Sequence, residues 1–569
     1  METLRSRRWL DRPDFWGAEY RAYLRAEGFG SQMFKNRPII GIAQSWSEFN
    51  SCHLHLRGVA EAVKRGVLLA GGWPLEFPTI SISEALYRPS PMLLRNLMAM
   101  DLEESVRGLP MDGVVLLAGC DKNTPAYLMG AASVGLPTVL VSAGPMAEGR
   151  WQGRPVAVGT DWYRVEADYR AGLLSDAEMA QIESRIAPSC GTCAVMGTAS
   201  TMALLAEALG FALPGDAAAP ATDARRLVQA EQAGYAIVQR VRQGIGLEPI
   251  LTPAAFGNAL RVLLAAGGST NAVIHLLALA GRAGVPLILD DVDRLARQTP
   301  VIVNLKPSGE HGMADLFAAG GGPALLKELA PLLDGEALLA DGRPLRAHLE
   351  GWEHSWNRAV IAPLDRPLHQ QGGLAVLRGS LAPEGAIIKP SAASPHLLRH
   401  RGRAVVFAGY DDLLARIDDE TLAVDEDSVL VLQGGGPVGG PGMPEWGQLP
   451  LPARLLRRGV RDLVRVSDAR MSGTQYGTVV VHVSPEAAVG GPLALVRDGD
   501  EIELDVEGRR LDLCVPAEEL ARRRAAWCPP APAYERGYGR LYLEHVQQAH
   551  LGCDFDFLRG SSGPDIGTL

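Results

Sequence analysis

In the first half of the chain, short continuous apolar runs alternate with stretches whose apolar residues recur at helical spacing. Residues 37–43 (RPIIGIA), 112–118 (DGVVLLA) and 137–141 (PTVLV) read as strands, since apolar runs bounded by Gly or Pro suit strands buried on both faces. Residues 55–70, 91–104 and 125–134 carry the helical pattern between them. Strand–helix alternation of this kind implies parallel strands covered by helices. The last third reads differently. Runs rich in β-formers recur at 404–407, 428–432, 462–466, 478–483 and 493–497, and a polar/apolar alternation follows over 501–506. Glu507-Gly508 then turns that segment into 510–515, a hairpin signature. The pattern predicts an α/β protein. A parallel-sheet domain spans residues 1–365 and a β-rich domain, barrel or sandwich, spans 366–569, the boundary falling where Pro363, Pro367 and Gly372-Gly373 cluster.

Composition narrows the class. A chain of 569 residues is too long for one ordinary core. Its net charge of −10 and the lack of any Lys/Arg-rich block argue against nucleic acid or an anionic membrane as partner. An anionic small substrate stays open, because a bound metal can supply local positive charge. The most apolar region, 256–289, is broken by Arg261, Arg282 and a Gly-Gly-Ser-Thr-Asn run, and reads as buried helices and a strand, not a membrane span. The basic N-terminus lacks the apolar run of a signal peptide, so a cytoplasmic protein is expected. Seven cysteines, an odd number, make a disulfide framework unlikely here and leave free thiols or metal ligands.

Three of those cysteines sit past strand candidates or at the mouths of Gly-rich turns: Cys52 in NSCH, Cys120 in AGCDK and Cys193 in CGTCAVMG. The C-terminal ends of parallel strands are where α/β folds place their ligands. Three thiolates converging there could hold an iron–sulfur cluster with one iron open, which makes the cluster a Lewis acid. Each is equally read as a buried thiol, and the long gaps between them are no ligand signature. Cys190 and Cys193 form a C-x-x-C, but no second pair and no His pair at finger spacing supports a structural zinc. Asp121 is a hard oxygen ligand suited to magnesium and Lys122 an acid/base candidate; the alternative is a solvated pair in a loop. Gly434-x-Gly436-x-x-Gly439 matches a dinucleotide fingerprint, yet Pro437, Pro441 and Pro444 leave no room for the helix it needs. The stretch reads instead as a rigid loop presenting Glu445. The turn SDARMSGT, residues 467–474, suits an anion nest, a nucleophile or a base, and lacks the G-x-S-x-G elbow of serine hydrolases.

Taken in order, NSCH, GCDKNTPA, CAVMGTAST, GGSTNAVIH, GAIIKPSAA, GPGMPE and SDARMSGT resemble the dihydroxy-acid dehydratase/phosphogluconate dehydratase family over nearly the whole chain. Within it, FPTISISE at 77–84 and RNLMAMD at 95–101 are similar to the sugar-acid branch. The branched-chain amino-acid enzymes usually carry Asp-Gly in place of Ser83-Glu84, and CGGMYTANT in place of CAVMGTAST. The resemblance implies a hydro-lyase that converts an aldonic acid, a pentonate such as L-arabinonate or D-xylonate, to its 2-keto-3-deoxy acid. It implies that Cys52, Cys120 and Cys193 bind the cluster, 2Fe–2S in preference to 4Fe–4S, with Cys190 an additional thiol. Glu84, Asp121 and Glu445 would hold Mg2+ together with Lys122, which relatives can carry as a carbamate and which also counts among the catalytic residues. Ser472 matches the base for the C2 proton, and Thr474 a substrate contact. Relatives suggest a homodimer or homotetramer. At 310–315, EHGMAD stands where relatives usually have a Lys-Tyr-Leu-Met-like string. Two rival readings remain: a dihydroxy-acid dehydratase of branched-chain amino-acid synthesis, and a non-catalytic iron–sulfur redox protein.

Overall fold

The computed structural model describes residues 4–565. Strands β1 (Ile39–Gln44), β2 (Trp73–Pro78), β3 (Gly113–Ala118) and β4 (Thr138–Ser142) form a parallel sheet in the order β2-β1-β3-β4. The central strand β3 and its neighbour β4 are buried along their whole length, which is why their sequences are unbroken apolar runs. Helices Leu56–Leu69 and Ala224–Gln243 cover one face, where Ile42, Val115 and Val141 pack with Val63, Ile237 and Val238. Helices Arg95–Gly108 and Asn123–Val134 pack with the main core cluster on the other. The first pair touches backbone to backbone. A Cβ on Gly66 would lie 1.9 Å from the Glu231 carbonyl oxygen, and one on Gly234 would lie 2.2 Å from that of Val63.

Two elements differ from the sequence reading here. Strand β2 was not foreseen, because Pro74 and Pro78 interrupt it; it lies at the sheet edge, where missing N–H donors are tolerated. The region 256–289 contains no strand. It is built from helices Pro253–Ala265 and Asn271–Arg282, with a short irregular link to helix Leu289–Gln298.

A small antiparallel pair, β5 (Gly149–Trp151) and β6 (Arg154–Val156), precedes the second sheet. That sheet has eight strands: β7 (Ala375–Leu377), β8 (Gly385–Ile388), β9 (Arg399–Phe407), β10 (Val429–Leu432), β11 (Val464–Ser467), β12 (Val479–Ser484), β13 (Glu501–Asp505) and β14 (Arg510–Leu513). Their order is β14-β13-β9-β10-β11-β12-β8-β7, with β9 to β12 parallel and the flanking pairs antiparallel. Its edges meet: the Arg378 N–H donates to the Arg509 carbonyl and the Leu511 N–H to the Arg378 carbonyl, each at 2.9 Å. The sheet thus nearly closes into a barrel, and Val431, Val466, Val480, Leu504 and Leu511 share one core cluster. The expected strand at 493–497 is instead the 3-10 turn Pro492–Leu495, because Pro492 has no N–H to give a ladder and suits a helical first position.

The chain then returns to the first sheet's helices. Buried Arg282 pairs with Asp554 at 2.8 Å and Glu103 at 3.2 Å, and Arg95 donates to the carbonyls of Gly552 and Cys553. No helix among the described residues is long and apolar enough to cross a membrane.

Candidate active site

The chemistry-bearing residues arrive at one cavity from the C-terminal ends of parallel strands in both sheets. Cys52 lies in the turn after β1, Glu84 after β2, and Cys120 and Asp121 directly after β3. Glu445 comes from the loop after β10, and Ser472 and Thr474 from the loop after β11. All of these, together with Cys193, line a cavity of about 520 Å3. Lys122 is fully buried beneath it.

His53 builds the cysteine side of this cavity. Its Nε2 accepts from the N–H groups of Gly119 and Cys120, both at 3.0 Å, so the proton resides on Nδ1, 2.9 Å from the Ser45 carbonyl. Burial pushes this imidazole down to about 3, which keeps it neutral and preserves that tautomer. Asn50 completes the turn by accepting from the Cys52 N–H at 3.2 Å. The Cys193 segment is tied to the same turn, since Gly191 N–H donates to the Ser51 carbonyl at 3.2 Å and Thr192 N–H to that of Gly144 at 2.9 Å. The neighbouring Cys120 and burial push the Cys52 thiol well above the ordinary range. Burial also raises the Cys193 thiol. Cys190 is half-buried, like Cys52 and Cys193, but does not belong to the cavity lining.

The carboxylate side is organised around one ammonium. Lys122 Nζ stands 2.9 Å from Glu84, 3.7 Å from Glu445 and 3.8 Å from Asp121. Burial lifts the Glu84 carboxyl to about 7 against the pull of Lys122, with Glu445 and Asp121 adding to the rise. Burial raises Asp121 as well. Glu445 goes the other way: burial opposes its charge, but Lys122, Arg470 and hydrogen bonds from Asn271 and Arg470 outweigh it. Among the described residues, no three His, Cys, Asp or Glu side chains stand close enough, as placed, to hold an ion by themselves. The lysine occupies the middle of the acid group instead.

The turn bearing Ser472 is held by close backbone approach. Ser472 Oγ and Thr474 Oγ1 are 2.9 Å apart, the Thr474 N–H points at Ser472 Oγ from 3.4 Å, and Thr160 Oγ1 donates to the Thr474 carbonyl at 2.7 Å. A Cβ on Gly159 or Gly197 would strike the Thr474 side chain at 2.6 or 2.7 Å, and one on Gly473 would strike Ser269.

Several lining residues were not singled out from sequence: Arg88, Trp162, Tyr163, Tyr410 and Trp446. Tyr410 and Trp446 stack with ring centroids 5.0 Å apart, and Tyr163 lines the same cavity as Ser472. Only Trp446, adjacent to Glu445, carried a local hint. The 310–315 segment packs beside the third cysteine, Met313 N–H donating to the Ala194 carbonyl at 2.8 Å.

Family models described as the N-terminal and C-terminal parts of dihydroxy-acid/6-phosphogluconate dehydratases match residues 37–348 and 359–553. The chain is 50% identical to an L-arabinonate dehydratase of Rhizobium leguminosarum bv. trifolii, over 99% of this chain and 98% of that protein. It is 47% identical to a 6-deoxy-6-sulfo-D-gluconate dehydratase of Pseudomonas putida, with the same coverage. A dihydroxy-acid dehydratase of Sulfurisphaera tokodaii is 39% identical over 94% of this chain and 96% of that one.

Proposed function

The chain belongs to the dihydroxy-acid/6-phosphogluconate dehydratase family, a carbon–oxygen lyase family, and from that premise we propose that it removes water from a sugar acid, a pentonate such as L-arabinonate or D-xylonate, leaving the 2-keto-3-deoxy acid. The observation that carries the choice of substrate is the cavity wall. Beyond the cysteines and carboxylates it presents Ser51, Ser83, Arg88, Trp162 and Tyr163, all able to donate hydrogen bonds. A polyhydroxylated tail satisfies such groups, whereas an apolar branched tail leaves them unpaired. The two sugar-acid relatives at 47% and 50% identity point the same way.

The residues present fit two inorganic groups. Cys52, Cys120 and Cys193 offer three soft ligands in one cavity with no fourth cysteine among the lining residues, and would hold an iron–sulfur cluster through fewer protein ligands than a four-cysteine site. Glu84, Asp121 and Glu445 are hard oxygen donors in excess of the buried cations Lys122 and Arg470, which suits Mg2+. A carbamate on Lys122 would remove the ammonium from their centre. What such groups supply when bound is Lewis acidity, toward the departing 3-hydroxyl and the substrate carboxylate. The protein's own part is proton transfer and orientation. Ser472 Oγ, as its alkoxide, takes the C2 proton. The 3-hydroxyl leaves C3 with its bonding pair as the C2–C3 double bond forms, and the proton taken from C2 passes to it to complete the water. The enol left behind gains a proton at C3 and loses the one on its oxygen, becoming the ketone. The Thr474 N–H and hydroxyl steady the charge on Ser472, and the glycine contacts around the turn fix its position.

The experiment is a substrate panel on anaerobically prepared, cluster-replete protein. Pentonates and hexonates are expected to exceed 2,3-dihydroxyisovalerate in kcat/KM by at least about tenfold. The reverse order would assign the chain to branched-chain amino-acid synthesis, and inactivity on every acid would favour a redox role.

A further inference from the structure

The Glu445 carboxylate is held far more tightly than an acid at a cavity wall needs to be. Its Oε1 accepts from Asn271 Nδ2 at 2.8 Å and from Arg470 Nη1 at 2.9 Å, with Lys122 Nζ a further 3.7 Å away. Both donors are themselves immobilised. Asn271 is fully buried at the start of helix Asn271–Arg282, and its Nδ2 also donates to Thr198 Oγ1 at 3.1 Å. Thr198 and Ser269 share a hydroxyl contact of 2.9 Å, and Ser269 Oγ accepts from the Asn271 N–H. Arg470 is likewise fully buried. Its Nε donates to the Met443 carbonyl at 2.6 Å, on the loop that carries Glu445, and its Nη2 to Ser90 Oγ at 3.1 Å.

The consequence is directional. Oε1 is saturated by donors that cannot swing away, while Oε2 accepts no hydrogen bond among the described residues and belongs to a side chain that lines the cavity. A carboxylate fixed in this way offers one oxygen to a cation at no further ordering cost. The second buried cation also offsets the repulsion among three acids gathered at one point.

The geometry points to Asn271 and Arg470 as positioning residues of the divalent-ion site, holding Glu445 by one oxygen so that the other faces the ion. The inference rests on the reading that these carboxylates bind a divalent cation. It is tested by titrating the metal-free, cluster-replete enzyme with Mn2+ and following free Mn2+ by electron paramagnetic resonance. Asn271→Ser is expected to weaken Mn2+ about 10–100-fold, the usual effect of removing a partner that orients a ligand. Arg470→Lys should retain more affinity than Arg470→Met at matched thermal midpoints, since it keeps the charge and loses only the fork. Visible cluster absorbance serves as the check that each variant is folded and loaded. Unchanged Mn2+ affinity in Asn271→Ser and Arg470→Lys would overturn the assignment. Glu445→Gln separates the two levels. If wild type binds Mn2+ and Glu445→Gln does not, the ion-site reading stands whatever Asn271 and Arg470 do; if wild type binds none, that reading falls and the positioning role with it.

Discussion

Replacing Ser472 with alanine is expected to lower kcat by about 10²–10⁴-fold, the range general-base removal commonly costs, with the visible cluster spectrum unchanged. The argument begins from position. Ser472 lines the cavity with the cysteines and carboxylates, and the turn is clamped by Gly159, Gly197 and Ser269 so that its hydroxyl cannot drift. A serine hydroxyl is a weak acid, so it serves as a base only where its charged form is stabilised. Here the Thr474 hydroxyl and N–H lie within reach. Because Ser472 sits in the loop after β11 and none of the three cysteines comes from that loop, its loss should leave iron content intact. Turnover within a fewfold of wild type would remove Ser472 from the base role.

Cys52→Ser and Cys193→Ser should each lose iron and visible absorbance and with them all measurable turnover, whereas Cys190→Ser keeps both. The distinction follows from placement. Cys193 lines the cavity with Cys52 and Cys120, while Cys190, at the start of the same segment, sits outside the lining. Soft ligands are hard to replace: a serine oxygen holds iron more weakly and changes the optical transitions of the cluster. Iron content by colorimetric assay and the visible spectrum report the result. Retained absorbance in Cys193→Ser with loss in Cys190→Ser would reverse the assignment.

Much of the fold was legible because its central strands are buried on both faces. Nothing but an apolar run fits β3 or β4, so GVVLLA and TVLVS declare themselves. Strand β2 did not, since an edge tolerates Pro74 and Pro78 and a half-exposed face. The apolar run near residue 495 misled for the opposite reason: a short apolar segment fits a buried 3-10 turn as well as a strand. Alternation in the last third showed strands but not that β9 to β12 run parallel, which depends on crossovers between distant segments. At the site, the acids and thiols stood out by residue type and by motif. Arg88, Tyr163 and Tyr410 carried no such mark; they reach the cavity only because helices and loops far apart in sequence fold against it. Spacing alone also left Cys190 and Cys193 equivalent, although only one of them lines the cavity.

The central claim is that the chain dehydrates a sugar acid by taking the C2 proton and releasing the 3-hydroxyl, and it is tested most directly by running the reaction in D2O. With L-arabinonate or D-xylonate and cluster-replete enzyme, NMR should show a 2-keto-3-deoxy acid with one solvent deuterium at C3, delivered as the enol becomes the ketone. A product without deuterium at C3 would contradict the account.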